Sequence, residues 1–265
     1  MKKKQFLCIG MIVVCLMSLC GCGTDKASSS KNKTGNTDIE NVAGTDTNTI
    51  NGDTHPYIGT KKEVLRATDT VPEIDAEKDA LYDMVGTKIS LEEFNLEYWE
   101  NKPMNNSAVV YLTYDKDYLY LYVEVSDDII DYSSENQVWL RDSVGVILDF
   151  NYCREKVEYS GDNIGYVNIA CNNTHQYYHE YLAEPYCSMI SYRSRIDEAA
   201  GTYAIEMRLP FIEGFAGGAI GFEVTNTDCI DGERCGVRTW NVDGSQIYKY
   251  THCTGTLEFE TNFWK

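Results

Sequence analysis

The sequence lacks the short motifs that mark common catalytic and metal sites. Its four histidines are scattered and it has no Cys-x-x-Cys pair, so a zinc site is not indicated. Gly-x-Ser-x-Gly, His-Glu-x-x-His and phosphate-loop motifs are also missing, and no stretch resembles a hydrolase. We therefore expect no enzymatic activity and no organic cofactor.

Basic residues are scarce as well. The chain has 23 Lys and Arg against 41 Asp and Glu, a formal net charge of −18. Such an acidic surface repels nucleic acid and anionic lipid. Neutral ligands or cations are the compatible partners.

The N-terminus has the pattern of a lipoprotein signal peptide. Three lysines precede a short apolar run, Phe6 to Leu19, which is followed by Cys20-Gly21-Cys22. The run is shorter than the roughly 20 apolar residues of a membrane-spanning helix. We predict that residues 1–21 are removed and that Cys22 is acylated, with Cys20 as the competing site. The mature protein would then be exported and anchored to the membrane by lipid alone.

Two regions follow the signal peptide. Residues 22–62 are predicted to be the lipidated cysteine and a disordered stalk, because a segment rich in Ser, Thr and Asn buries too little apolar surface to offset its ordering entropy. Residues 63–265 are long enough for one well-cored domain. Removal of residues 1–21 takes away three lysines and no acid, so the formal charge falls from −18 to −21.

Six cysteines lie beyond the signal peptide region: Cys153, Cys171, Cys187, Cys229, Cys235 and Cys253. An even number in an exported chain is compatible with disulfides, although six cysteines can pair in about fifteen ways. Cys229 and Cys235 bracket a short turn that could bring them into bonding range. Free thiols are the alternative.

From residue 108 onward, short runs of apolar and polar residues predict strands. Eight or more such strands with turns between them predict an all-β fold, a two-sheet antiparallel β-sandwich. Little helix is expected beyond one turn near Ala76–Tyr82 and another near Leu91–Phe94. The predicted strands are Val109–Tyr114, Tyr118–Val125, Ser143–Phe150, Gly165–Cys171, Met189–Ile196, Tyr203–Leu209, Ile220–Thr225, Gly236–Trp240 and Thr256–Glu260.

Motifs along this region resemble those of the family 9 carbohydrate-binding modules. The clearest is the run from Trp139 to Asp149, which is similar to the family's Trp-x-x-Asp-Ser-Val-x-x-x-x-Asp. The resemblance covers nearly the whole domain and implies the same sandwich fold. Its other parts are Ile74-Asp75 with Asp79 to Tyr82, Asp117 to Tyr120 with Val123, Val125 and Asp127, Tyr203 to Pro210, Ile220 to Val224 with Asp228, Arg234 to Trp240, and Gly255 to Leu257.

The resemblance implies a sugar site in which two aromatic rings enclose a pyranose. Aromatic faces remove the apolar C–H faces of a sugar from water. Trp139 takes the first aromatic position and Tyr248 the second, whereas Trp240 is expected in the core. Packing is the alternative for Trp139, and a surface hairpin is the alternative for Tyr248. The polar groups expected to bind sugar hydroxyls are Asn168, Asn172, Ser245 and Gln246.

Two positions depart from the family pattern. The family's acid after Asp-Ser-Val falls on Gly145, and the arginine of the next strand falls on Val167. These departures predict either a tolerant sugar site or the loss of sugar binding.

Related modules use structural calcium, and Asp127, Asp128 and Asp131 are spaced so that a loop could bring their carboxylates onto one cation. A solvated acidic loop is the alternative. A DOMON-like relative that holds heme is a further alternative, and it would need Met207 or a histidine as axial ligand.

The leading hypothesis is a non-catalytic cell-surface lipoprotein that binds a plant-type polysaccharide or oligosaccharide. It would assist separate glycoside hydrolases by holding their substrate nearby. The alternative is an interaction or structural lipoprotein whose sandwich has lost sugar binding and contacts an envelope protein.

Overall fold

The computed structural model describes most of the predicted domain. The predicted signal peptide, Cys22, most of the predicted stalk and Cys153 lie outside the described residues. Among the described residues, no helix combines the length and apolar character needed to cross a membrane. The described residues are 49–50, 53–54, 59–94, 102–152, 164–177, 184–241 and 253–260.

Strands dominate the described residues, and two short α-helices, α1 (Ala80–Met84) and α2 (Glu184–Cys187), interrupt them. The strands are β1 (Thr49–Ile50), β2 (Asp53–Thr54), β3 (Lys62–Leu65), β4 (Thr87–Ser90), β5 (Glu92–Phe94), β6 (Ser107–Tyr114), β7 (Tyr118–Ser126), β8 (Ser143–Asp149), β9 (Ile164–Ala170), β10 (His175–Tyr177), β11 (Ser191–Asp197), β12 (Thr202–Pro210), β13 (Gly218–Ile230), β14 (Glu233–Thr239) and β15 (Gly255–Phe259).

Two large sheets confirm the predicted β-sandwich. One has eight strands, with the order β10-β9-β8-β13-β14-β5 and with β15 joining β13 to β3. The other has five strands in the order β11-β12-β7-β6-β4. Their pairings are antiparallel except that β3 runs parallel to β15. Strands β1 and β2 pair only with each other among the described residues.

The core lies between the two sheets because each strand turns alternate side chains inward. Val144, Val146 and Leu148 of β8 belong to the same buried cluster as Leu121 and Val123 of β7. Burial of each such side chain contributes roughly 1.5–3 kcal/mol. The alternation in the sequence therefore sets which face of each sheet is left for other contacts.

Trp240 is confirmed as a core residue. Its ring lies 5.8 Å from that of Phe222, and it is 3% exposed. Met207 is also fully buried in the core between the sheets, so packing leaves its thioether no open position for a heme iron.

The outer face of the five-stranded sheet is tyrosine-rich and buried. Tyr111, Tyr120 and Tyr122 form a second apolar cluster with Leu81 and Tyr82 of helix α1. The tyrosine face of the β6–β7 hairpin is thus covered by the chain preceding β4.

Glu206 of β12 fixes this covering segment from beneath. Its buried carboxylate accepts hydrogen bonds from the Tyr82 hydroxyl (2.9 Å) and from the backbone N–H groups of Ala76 (3.0 Å) and Asp75 (3.1 Å). Ala76 adopts a positive φ of 64°, a conformation that L-residues rarely take. Because the chain turns at Ala76, helix α1 begins at Ala80 rather than near Ala76.

The helical turn predicted for Leu91–Phe94 is wrong. Residues Glu92–Phe94 form strand β5, which pairs with β14 at Val237–Thr239. The open edge of β14 offers backbone hydrogen bonds to these residues, and this pairing overrides the local preference for helix.

The five described cysteines beyond the stalk are all buried thiols rather than disulfides. Cys229 and Cys235 lie on adjacent strands, where the hairpin register shifts between Asp228 and Cys229. The bracketing turn therefore brings them onto neighbouring strands without a bond between them.

Glu206 predicts a pH-dependent stability. Burial raises the pKa of Glu206 to about 7, although hydrogen bonds from Tyr82, Ala76 and Asp75 oppose the shift. Between its ordinary pKa of 4.5 and about 7, the folded state retains a proton that the unfolded state releases. The free energy of unfolding should therefore fall by about 3 kcal/mol as the pH rises through this window.

Urea denaturation of Glu206→Gln across pH 4.5–7 should show this loss abolished. Glu124→Gln, which changes a partly exposed glutamate on the adjoining strand, should keep the wild-type dependence. Equal pH dependence in wild type and Glu206→Gln would contradict the assignment.

Candidate functional site

Trp139 lies in a 3-10 helix, Val138–Leu140, which connects β7 to β8, and its side chain is partly exposed. The guanidinium carbon of Arg234 lies 5.8 Å from the centre of the indole ring. At this distance the cation is attracted to the ring face and restricts its orientation. The Trp139 ring is therefore an aromatic surface of restricted orientation, next to the eight-stranded sheet.

Gln176 ties the Trp139 helix to the sheet. Its side-chain oxygen accepts a hydrogen bond from the Val138 N–H (3.4 Å), and its amide nitrogen donates to the side-chain oxygen of Gln137 (2.7 Å). Gln176 belongs to β10 and lies opposite Asn168 of β9. The sequence analysis did not single it out, because no motif distinguishes this glutamine.

Asn168 lies on the outer face of the eight-stranded sheet, between Gly145 of β8 and Gln176 of β10. It is 1% exposed, and within the described part of the chain neither atom of its amide group has a hydrogen-bond partner. An unsatisfied buried amide costs about 1–3 kcal/mol. Such a group is poised for a polar ligand or a bound water.

Val167 lies on the opposite, core-facing side of β9 and is fully buried. The position aligned with the family's arginine in the sequence therefore cannot face a ligand outside the sheet. The outward neighbours on this strand are Tyr166 and Asn168, because side chains alternate along a strand.

Asn172 shapes the turn between β9 and β10. Its side-chain oxygen accepts a hydrogen bond from the Thr174 hydroxyl (2.7 Å), and this hydroxyl in turn accepts one from Arg141 (2.7 Å). The structure thus gives Asn172 a positioning contact beside the Trp139 helix. Ser245, Gln246 and Tyr248 lie outside the described residues.

Three buried carboxylates form a cluster that includes Asp142, two residues after the Trp139 helix. Oxygen atoms of Asp127, Asp142 and Asp228 all lie within 4.8 Å of one another. Carboxylates at this spacing repel one another unless a proton or a cation lies among them. Oxygen donors are the ligands that Ca²⁺ prefers, so this set of residues fits a calcium ion.

Two features of the cluster support this fit. Burial is the main reason that the pKa of Asp142 is raised to about 9, and it also raises the pKa of Asp127. One carboxylate oxygen of Asp127, Oδ2, has no hydrogen-bond partner among the described residues. A cation bound here would satisfy that oxygen and offset the cost of the buried charges.

The other two predicted calcium ligands lie differently. Asp128 is exposed. Asp131 accepts hydrogen bonds from the backbone N–H groups of Gly232 (2.6 Å) and Ser133 (2.7 Å). Burial alone would raise the pKa of Asp131, but these donors outweigh it and lower that pKa. The structure therefore groups Asp127 with Asp142 and Asp228 rather than with its neighbours in sequence.

The protein is thus a β-sandwich module with a partly exposed tryptophan and amide groups at one of its sheets. The chain belongs to the family described as "Carbohydrate family 9 binding domain-like", whose model matches residues 74–262. No curated protein matches the chain significantly.

Solved structures share this fold. The chain is similar to a carbohydrate-binding module of family 9 from Caldicellulosiruptor kristjanssonii in complex with cellotriose, with a TM-score of 0.63 and 17% identity over 76% of this chain and 94% of that one. A structure of a family 9 module from the same organism in complex with glucose has a TM-score of 0.60 at 17% identity, covering 76% of this chain and 96% of that one.

Asn168 predicts a stabilising substitution. Asn168→Leu replaces the unsatisfied amide with an apolar group of similar size, so the free energy of unfolding should rise by about 1–3 kcal/mol in urea denaturation. A loss of stability of that size would show instead that the amide is satisfied in solution, for example by a buried water.

Proposed function

We propose that this protein is a non-catalytic lipoprotein that binds carbohydrate through the outer face of its eight-stranded sheet. The observation that carries the proposal is the arrangement around Trp139. A partly exposed indole lies near Arg234, and its helix is bonded to the Gln176 amide, which lies opposite the buried Asn168 on the same sheet face. An aromatic surface bordered by amides suits a sugar, which has apolar C–H faces and hydroxyls at its edge.

Membership in the family supports this proposal. The similar modules from Caldicellulosiruptor kristjanssonii were solved with cellotriose and glucose, and we extend that class of ligand to this chain as part of the proposal. Tyr248 is proposed as the second ring, with Ser245 and Gln246 as further hydroxyl-binding residues.

The cellular role is inferred from the N-terminal sequence. Acylation of Cys22 would anchor the exported protein, and residues 23–62 would carry the sandwich away from the lipid. A plant-type polysaccharide held in this way would be concentrated near separate glycoside hydrolases or other envelope proteins.

Binding of the purified protein to insoluble polysaccharides and soluble oligosaccharides tests the proposal. Trp139→Ala and Tyr248→Ala should each weaken binding by at least about 10-fold, because each removes a stacking surface. Tyr132→Ala removes an exposed tyrosine from the loop that leads to the Trp139 helix, and it should leave affinity unchanged.

Absence of binding by folded wild type across the whole panel would contradict the proposal. It would favour the alternative in which the sandwich contacts an envelope protein. The glycine at position 145, where the family has an acid, is the feature of the chain that supports this alternative.

We further propose that Asp127, Asp142 and Asp228 hold a structural calcium ion. When bound, the ion would supply the positive charge that three adjacent carboxylates require. Asp142 also accepts a hydrogen bond from the Asp131 N–H, in the loop that leads to the Trp139 helix, so the ion would stabilise the loop carrying this ring.

Thermal unfolding with excess calcium and with a chelator tests the ion. Calcium at 100-fold its dissociation constant should stabilise wild type by about 2.7 kcal/mol. Asp127→Asn should lose this response and should be more stable than wild type in chelator, because it removes one of the clustered charges.

Asp128→Asn is the matched control, since it alters the adjacent but exposed carboxylate. It should retain the full calcium response. An equal loss of response in both variants, or no response in wild type, would contradict the assignment.

A further inference from the structure

Tyr166 is a partly exposed aromatic residue on the outer face of the eight-stranded sheet. It belongs to β9, lies opposite Ile147 of β8, and is two residues from Asn168. Because the strand rises about 3.4 Å per residue, Tyr166 and Asn168 project from the same face about 7 Å apart. The ring is therefore placed on the same face as the proposed sugar site.

Gly145 is what allows the Tyr166 ring to lie against the sheet. A Cβ atom at position 145 would meet the Thr225 hydroxyl oxygen at 2.6 Å, Cε2 of Tyr166 at 2.9 Å and the Tyr166 hydroxyl oxygen at 3.1 Å. Contacts below about 3.0 Å are essentially never made by a real Cβ. Glycine inside a strand commonly marks such a close approach. The ring of Tyr166 thus occupies the space that a side chain at position 145 would need.

Polar groups lie between Tyr166 and Trp139. Along one row across the sheet, Thr225, Gly145, Asn168 and Gln176 are paired in register. Gln176 then bonds to the helix that carries Trp139. Thr225 and Asn168 are buried in this row. The partly exposed groups are the Tyr166 ring, the Gln176 amide and the Trp139 ring, which offer apolar and hydrogen-bonding surface in turn, as a chain of sugars does.

From these observations we infer that Tyr166, whose ring has room because position 145 is glycine, is an additional stacking residue of the sugar site. The inference rests on the proposed carbohydrate binding and adds this residue to the site. The presence of Gly145 in place of the family's acid then alters the sugar site rather than removing it.

The test uses the full-length protein in mild detergent, titrated calorimetrically with cellohexaose, xylohexaose and mannohexaose. Wild type should bind at least one of these neutral hexamers. Tyr166→Ala should weaken that binding by about 10-fold, whereas Tyr166→Phe, which keeps the ring, should stay within about 3-fold of wild type.

Gly145→Ala should displace the ring and weaken binding to the level of Tyr166→Ala. In the Tyr166→Ala background it should cost no further affinity. If the contact with Thr225 prevents Gly145→Ala from folding, Tyr166→Ala and Tyr166→Phe still decide the matter.

The possible results separate the inference from the proposed function. Binding of a neutral hexamer that Tyr166→Ala leaves within about 2-fold would overturn the role of Tyr166 and leave carbohydrate binding intact. No binding by folded wild type to any hexamer would overturn the carbohydrate proposal and this inference together.

Discussion

Hydrogen bonds of the buried Asp142 connect the loop that carries Trp139 to the eight-stranded sheet. Its side chain accepts hydrogen bonds from the backbone N–H groups of Asp131 (2.6 Å) and Cys229 (2.7 Å). Its backbone N–H donates to the Asp131 carbonyl, and its own carbonyl accepts from the Cys171 N–H. Four bonds from one residue join the Trp139 loop to β9 and β13, so the position of the indole depends on this aspartate.

This arrangement carries an electrostatic cost. Burial raises the pKa of Asp142 to about 9, which means that the protein environment opposes its charge at neutral pH. Asp127 and Asp228 lie close enough to add repulsion. A cation among the three would offset this cost, and it would link the metal site to the sugar-binding surface through a single side chain.

The two outer sheet faces differ in the residues they carry. On the five-stranded sheet, the chain around helix α1 packs over the tyrosines and is fixed by Glu206. On the eight-stranded sheet, Ile147, Thr225 and Asn168 are buried as well, and the Tyr166 ring and the Gln176 amide are partly exposed. The sandwich core lies between both faces, so the proposed function depends on residues outside that core.

Alternation of apolar and polar residues was sufficient to predict the main strands and the sandwich, because inward-facing positions such as Val144 and Val146 must be apolar. The short strands β1 to β5 and β10 were missed, and Leu91–Phe94 was assigned to helix, since short strands depend on their partners. The motif of Trp139 located the candidate loop.

Contacts made across the sheets could not be read from the sequence. Asp127 is grouped with Asp142 and Asp228, which lie 15 and 101 positions further along the chain, and no local spacing indicates this. Likewise, the family's sequence pattern placed Val167 at a ligand position, whereas Val167 faces the core and its neighbours Tyr166 and Asn168 lie on the outer face.

A crystal structure of the protein with a bound neutral oligosaccharide is the most direct test of the central claim. The account predicts sugar density on the outer face of the eight-stranded sheet, against Trp139 and Tyr166 and within hydrogen-bonding distance of Gln176. Sugar bound instead in the groove of the five-stranded sheet, lined by Ser107, Tyr122 and Thr202, would contradict it.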